Sequence, residues 1–230
     1  MPANKILIPI SIGYGDAIMG LGRMTDRVKD FFEKPEDFKL VLFTGGSDVS
    51  PELYGDSSPR GMCQTNPERD AYEIRIFEFA LKHGIKMTGI CRGAQFINVM
   101  SGGRLMHHIE GHAGCLVHPV ETLLGETFLV NSLHHQMIIP PEDGTTIAWS
   151  QKRLSPGYVG KRDKMEKYKG LETEAIIIPR TSCCGVQWHP EMMNPNMPGY
   201  IYYYNMVKNF LELDIQSFAK KYCEPKAVEV

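Results

Sequence analysis

The chain predicts an α/β fold, a three-layer sandwich with a mostly parallel central sheet and helices on both faces. Three observations carry that expectation. Short apolar runs alternate with amphipathic stretches through the first hundred residues, and the connections between them are brief. A glycine-flanked cysteine, in "GICRGAQF" (89–96), stands where the third apolar run hands over to a helix. At 230 residues, 43% apolar and 23% charged, the chain is long enough for one domain over 1–230 with a sizeable core.

The elements follow in order. "KILIPI" (5–10) reads as a strand and roughly 16–33 as a helix. "LVLF" (40–43) is a second strand, and the glycine-rich "TGGSDVSP" follows it. Residues 68–83 place Ile74, Phe77, Ala80 and Leu81 on one helix face, and Gly84 stops that helix. "IKMTGI" (85–90) is a third strand and 92–101 another helix. The second half is richer in strands, at 115–123, 126–130, 145–150, 173–179 and 184–190, before one long helix over 199–222. Between them, 151–170 carries seven Lys or Arg and little apolar periodicity, which reads as a mobile, solvated basic loop.

Composition excludes several classes. The formal net charge of −2 provides no whole-chain basic field, so nucleic acid is not an expected partner. The longest apolar runs, such as "AIII" (175–178), are too short to span a bilayer, and the N-terminus lacks a secretory pattern. The six cysteines form no CxxC pair and suit neither a zinc ribbon nor a disulfide framework. A reducing, cytoplasmic setting is expected, with most of the thiols acting as small buried hydrophobes.

The chemistry converges on three stretches. "G-I-C-R-G" has the form of a nucleophile elbow with cysteine in the serine position, a turn so tight that flanking side chains would collide with strand and helix. It places Cys91 at a helix N-terminus, where free N–H groups and the dipole favour a thiolate, and aims the Arg92 N–H at a developing oxyanion. A buried structural cysteine is the plainer alternative. "GVQWHPE" (185–191) supplies a base and an orienting group: His189 precedes Pro190 and is biased toward extended backbone, so Glu191, two residues on, shares its side. A loop histidine beside a surface glutamate is the competing reading. The glycine pair of "LVLFTGGSDVSP" can bring a bare N–H to a ligand, and Gly46 is the candidate second oxyanion donor, against an ordinary turn.

Together, "TGGSDVSPELYG" (44–55), "GICRGAQFINVMSGGRL" (89–105), "NSLHHQMI" (131–138) and "GVQWHPE" (185–191) resemble the class I glutamine amidotransferase-like superfamily, most closely its γ-glutamyl hydrolase branch, which includes the γ-glutamyl-γ-aminobutyrate hydrolases. The resemblance implies a flavodoxin-like sandwich, a Cys91–His189–Glu191 triad and a glutamyl-thioester intermediate, with Gly46 and Arg92 as the oxyanion hole. It implies that Gln95 holds the glutamyl group and that His134 and His135 lie on a substrate-side loop. No cofactor is expected. Two departures border the expected cleft: a strand usual between the first helix and the "TGG" strand is not evident, and 151–172 is longer and more basic than the usual turn.

Other constellations are weaker. His107, His108, His112, Cys115 and His118 lie close in sequence, but no helical face aligns them, so no metal is expected; His118 is expected on a strand bordering the cleft. Asp70 and Glu73 read as the solvated side of an amphipathic helix. "YIYYY" (200–204) reads as packing. The expected activity is cysteine-dependent hydrolysis of a γ-glutamyl amide, with a small-molecule substrate. Two rivals stand beside it: a glutaminase subunit passing ammonia to a synthetase partner, and a silent binding protein on the same fold. The oligomeric state is open, a homodimer being one option.

Overall fold

The computed structural model describes residues 3–57, 61–114 and 116–224. Its strands and helices run β1 (Lys5–Leu7), β2 (Arg23–Thr25), α1 (Val28–Glu33), β3 (Phe38–Phe43), α2 (Pro67–Lys82), β4 (Lys86–Ile90), α3 (Arg92–Met100), β5 (Arg104–Met106), β6 (His108–Ile109), β7 (Leu116–Thr122), β8 (Thr127–Ser132), β9 (Met137–Ile139), β10 (Thr145–Ser150), β11 (Tyr158–Val159), β12 (Met165–Glu166), β13 (Thr173–Ile178), β14 (Cys183–Val186), α4 (Pro198–Glu212) and α5 (Ile215–Cys223).

Nine strands form the central sheet in the order β2-β1-β3-β4-β14-β13-β10-β7-β8. The half from β2 to β14 is parallel. From β14 to β8 every pairing is antiparallel. The sheet is therefore mixed, with its antiparallel half built from the strand-rich second half of the chain, where no helix intervenes to carry a parallel crossover.

Strand alternation sorts the core onto two faces. Ile6, Leu40, Leu42, Ile90 and Ile177 pack with Tyr203, Met206 and Phe210 of α4 and Phe218 of α5. Leu7, Val41, Phe43, Met87 and Ile176 pack on the other face with Phe31 of α1, Phe77 of α2 and Phe96 of α3. Those are the three expected layers.

Four expectations change. The helix over 16–33 is instead a 3₁₀ turn at Ile12–Ile18, strand β2 and the short α1. Gly20 has φ +86°, and a Cβ on Gly22 would lie 2.8 Å from the Asn4 carbonyl oxygen, so this stretch packs against β1 rather than coiling. Its β2 pairs in parallel with β1 at the sheet edge, which fills the strand position expected to be missing. The C-terminal helix breaks after Glu212, because Asp214 caps a second helix by accepting from the N–H groups of Gln216 and Ser217. The basic segment 151–170 holds a hairpin, β11 with β12, that adds to β6. No described helix is long and apolar enough to cross a membrane.

Candidate active site

Strands β3, β4 and β14 are neighbours and parallel, so their C-terminal ends lie on one edge of the sheet. Each delivers one part of the candidate site to that edge: the Thr44–Gly46 loop, Cys91 and His189.

Cys91 adopts φ 52°, ψ −112°, between β4 and α3. This is positive-φ backbone that few non-glycine residues adopt, and it is held from both sides. The Cys91 N–H donates to the Val186 carbonyl of β14 at 2.8 Å, and the Cys91 carbonyl accepts from the Gln95 N–H at 3.1 Å. The flanking glycines have the steric cause that the sequence suggested. A Cβ on Gly89 would fall within 3.0 Å of the Gly93–Ala94 backbone, and one on Gly93 within 3.0 Å of the Phe43 carbonyl. The thiol is 8% exposed, at the head of α3.

The His189 Nδ1 and Glu191 Oε1 are 2.6 Å apart. Burial favours the neutral imidazole, but hydrogen bonds to Cys91 and Glu191 and the charges of both outweigh it, and the histidine pKa is pushed up to about 10. Asn131 clamps the backbone of His189 in both directions. The Asn131 Oδ1 accepts from the His189 N–H at 2.8 Å, and the Asn131 Nδ2 donates to the His189 carbonyl at 2.9 Å. Cys91, His189 and Glu191 are thus brought together as expected.

The glycine loop is fixed by a residue that sequence reasoning passed over. Arg69 on α2 donates from Nη1 to the Gly45 carbonyl at 2.9 Å and from Nη2 to the Thr44 carbonyl at 2.8 Å. In a trans peptide the N–H points opposite to the C=O, so tying the Gly45 carbonyl to Arg69 turns the Gly46 N–H away from α2. Gly46 has φ +136° and a Cβ there would collide with the Arg69 guanidinium, so glycine is required.

Asp70 and Glu73 correct the sequence reading: they are 2% and 0% exposed. Both pair with the buried guanidinium of Arg92, and Glu73 also accepts from Arg69. Burial, with the nearby Arg69 charge, lowers the Arg92 pKa to about 10, against the pull of the acids. Its side chain is thereby committed to α2, although Arg92 also lines the cleft described next.

A cleft of about 330 Å³ is lined by Gly46, Asp48, Cys91, Gln95, His135 and Gln136, among others. The Gln95 Nε2 donates to the Gln136 carbonyl at 3.3 Å. His135 is half-buried and its Nε2 lies 3.2 Å from the Asp48 Oδ1, a contact that raises its pKa against the opposing effect of burial. His134 lines the same wall, yet both its ring nitrogens face protein: Nδ1 the Gln136 carbonyl at 2.9 Å, Nε2 the Glu174 carboxylate at 3.4 Å. The histidine pair therefore divides, with His135 toward the cleft and His134 inward.

Tyr14, on the 3₁₀ turn, was also missed. Its ring is 6.3 Å from that of His189, and burial, then the charges of Glu191 and Cys91, push its phenol up to about 12. Only the glycines either side of it hinted at close packing. His107 pairs with Asp56 at 2.8 Å. Cys115 lies outside the described residues.

The glutamine amidotransferase-like protein YvdE of Lactococcus lactis is 32% identical over 187 residues, which cover 73% of this chain and 70% of that protein. The gamma-glutamyl-gamma-aminobutyrate hydrolase of Escherichia coli O157:H7 is 30% identical over 171 residues, 63% of this chain and 60% of that enzyme. The crystal structure of a glutamine amidotransferase from Thermotoga maritima superposes with a TM-score of 0.53 at 16% identity, over 97% of this chain and 100% of that one, a likeness of fold. The Peptidase C26 family model matches residues 25–191, a range that holds Gly46, Cys91, His189 and Glu191 but not Tyr14, and the chain belongs to that hydrolase family.

Proposed function

We propose that the protein hydrolyses a γ-glutamyl amide through a glutamyl thioester on Cys91, the 230 residues acting as one domain. The Cys91 thiolate attacks the γ-carbonyl, and the oxyanion is met by the N–H groups of Gly46 and Arg92. The His189 imidazolium, oriented by Glu191, gives its proton to the leaving amine. It then takes a proton from the water that releases glutamate. Gln95 and His135 hold the glutamyl group.

The observation that carries this reading is the joint placement of a positive-φ cysteine at the head of α3 and an imidazole held 2.6 Å from a carboxylate. The L. lactis and E. coli proteins support the substrate class, since they are named as a glutamine amidotransferase-like protein and a gamma-glutamyl-gamma-aminobutyrate hydrolase.

The test is glutamate release from glutamine, γ-glutamyl-aminobutyrate, γ-glutamyl-putrescine and poly-γ-glutamate, with Cys91→Ala as control. Turnover of one conjugate well above glutamine, lost in Cys91→Ala, is expected. Equal turnover in Cys91→Ala would overturn the mechanism, and turnover of glutamine alone would turn attention to an ammonia-accepting partner.

A further inference from the structure

Behind the cleft wall, three imidazoles meet one carboxylate. The His112 Nδ1, His118 Nε2 and His134 Nε2 lie 3.2, 3.3 and 3.4 Å from the Glu174 Oε1. These side chains are 5% exposed or less, and none of the four atoms makes an aligned hydrogen bond. A buried carboxylate and three buried ring nitrogens without aligned partners are costly, and four such atoms in one place call for a specific cause.

The opposite nitrogen of each ring is already engaged. The His112 Nε2 is 3.0 Å from the Glu172 carboxylate, the His134 Nδ1 is 2.9 Å from the Gln136 carbonyl, and the His118 Nδ1 is 3.3 Å from the Pro119 carbonyl. Each outer partner is an acceptor, so each ring donates its proton outward. The inward nitrogens of all three rings are thus turned toward one carboxylate oxygen, the Glu174 Oε1.

We propose that His112, His118, His134 and Glu174 form a tetrahedral site for a divalent cation of the Zn²⁺ class. With metal–ligand bonds of about 2.0–2.1 Å, the edge of a tetrahedron is about 3.3–3.4 Å, close to the three N···O separations. Imidazoles radiating from one such centre have ring centroids about 5 Å apart, and those of His112 lie 4.8 Å from His134 and 5.1 Å from His118. Donor atoms of His112, His134 and Glu174 all fall within 4.8 Å of one another, and His118 joins this group of three through the shared Glu174 oxygen. Three imidazoles and one carboxylate suit Zn²⁺, and outward N–H groups on a carboxylate and backbone carbonyls are the outer support such ligands use. Glu172 is itself held by the N–H groups of Leu154 and Ser155 at 2.8 and 2.9 Å and the Tyr158 hydroxyl at 2.6 Å. The reading against a metal relied on the lack of a shared helix face; here β7, β13 and two loops do the aligning instead.

With four protein ligands the site is closed, and its effect is positional. The Gln136 carbonyl that orients His134 also accepts from the amides of Gln95 and Gln187, so the cation stiffens the wall on which Gln95 sits.

The test uses tag-free full-length protein with Cys91→Ala, so that the thiol binds no metal. Metal-stripped protein is titrated with Co²⁺, followed by visible absorption, and then with Zn²⁺. One equivalent of Co²⁺ with an intense tetrahedral spectrum, displaced by one equivalent of Zn²⁺, is expected. His118→Gln and His112→Gln should each weaken binding at least about tenfold while circular dichroism stays native. The proposal is overturned if the parent protein binds neither ion, or if both variants bind with parental affinity and spectrum.

Discussion

Gly93→Ala puts the steric account of the elbow at risk. The added methyl would fall within 3.0 Å of both the carbonyl carbon and oxygen of Phe43. These are backbone atoms at the end of a paired strand, so no rotamer change relieves the overlap. α3 and the end of β3 must separate by roughly 1 Å, and overpacking of this kind costs about 1–3 kcal/mol. For a domain of this size, a melting midpoint falls by about 2–4 °C per kcal/mol, so the expected loss is about 2–12 °C. The same shift moves Cys91 away from the Thr44–Gly46 loop, and a displacement of about 1 Å in a reacting geometry costs on the order of 100-fold in rate. Gly13→Ala is the control, because nothing lies within 4 Å of its added methyl. Thermal denaturation and turnover of the best γ-glutamyl substrate read the two effects. If Gly93→Ala melts with Gly13→Ala and keeps wild-type turnover, the steric explanation of the glycines is wrong.

The His189 pKa is raised from 6.5 to about 10, so its stabilisation is complete below about pH 6.5 and lost as the pH rises through about 10. Glu191→Gln removes one of the groups that raise it; urea denaturation across that range should then show a smaller alkaline decline, with the imidazole titrating at lower pH by NMR. Arg92→Met removes the cation that Asp70 and Glu73 share, leaving Asp70 only its bonds from Ser50 and Glu73 only Arg69, and should cost about 3–5 kcal/mol by urea denaturation; adding Asp70→Asn and Glu73→Gln should restore part of it. Asn131→Ala deletes both hydrogen bonds to the His189 backbone and should cost about 1–3 kcal/mol, with kcat falling and KM little changed.

What the sequence made legible was whatever local sterics and short spacing determine. Gly89 and Gly93 announce a tight turn because a side chain at either would strike backbone, whatever the rest of the fold. His189 and Glu191 pair across a single proline, so two-residue geometry suffices. Asp70 and Glu73 were misread for the opposite reason. Helical periodicity marks a polar face, but only the approach of α3 puts Arg92 against it. His134 likewise could not be told from His135, because its partner Glu174 is forty residues away on β13. The single helix expected over 16–33 fails although Gly20 and Gly22, two helix breakers one residue apart, stand inside that range. At the other end, Asp214 was an available cap signal before "IQSF" and marks the break that was missed.

The strand that leads to His189 has a place in time as well as in space. β14 fills the gap between β4 and β13, although β4 is complete nearly a hundred residues earlier. During synthesis, Cys91 emerges with its helix long before His189 exists, and the carbonyl of Val186 that holds the elbow is missing too. The sheet can close only when its central strand arrives late in translation. A ribosome-bound chain therefore displays Cys91 before His189 is made, and under the proposed mechanism the last quarter of the protein is what arms the thiol.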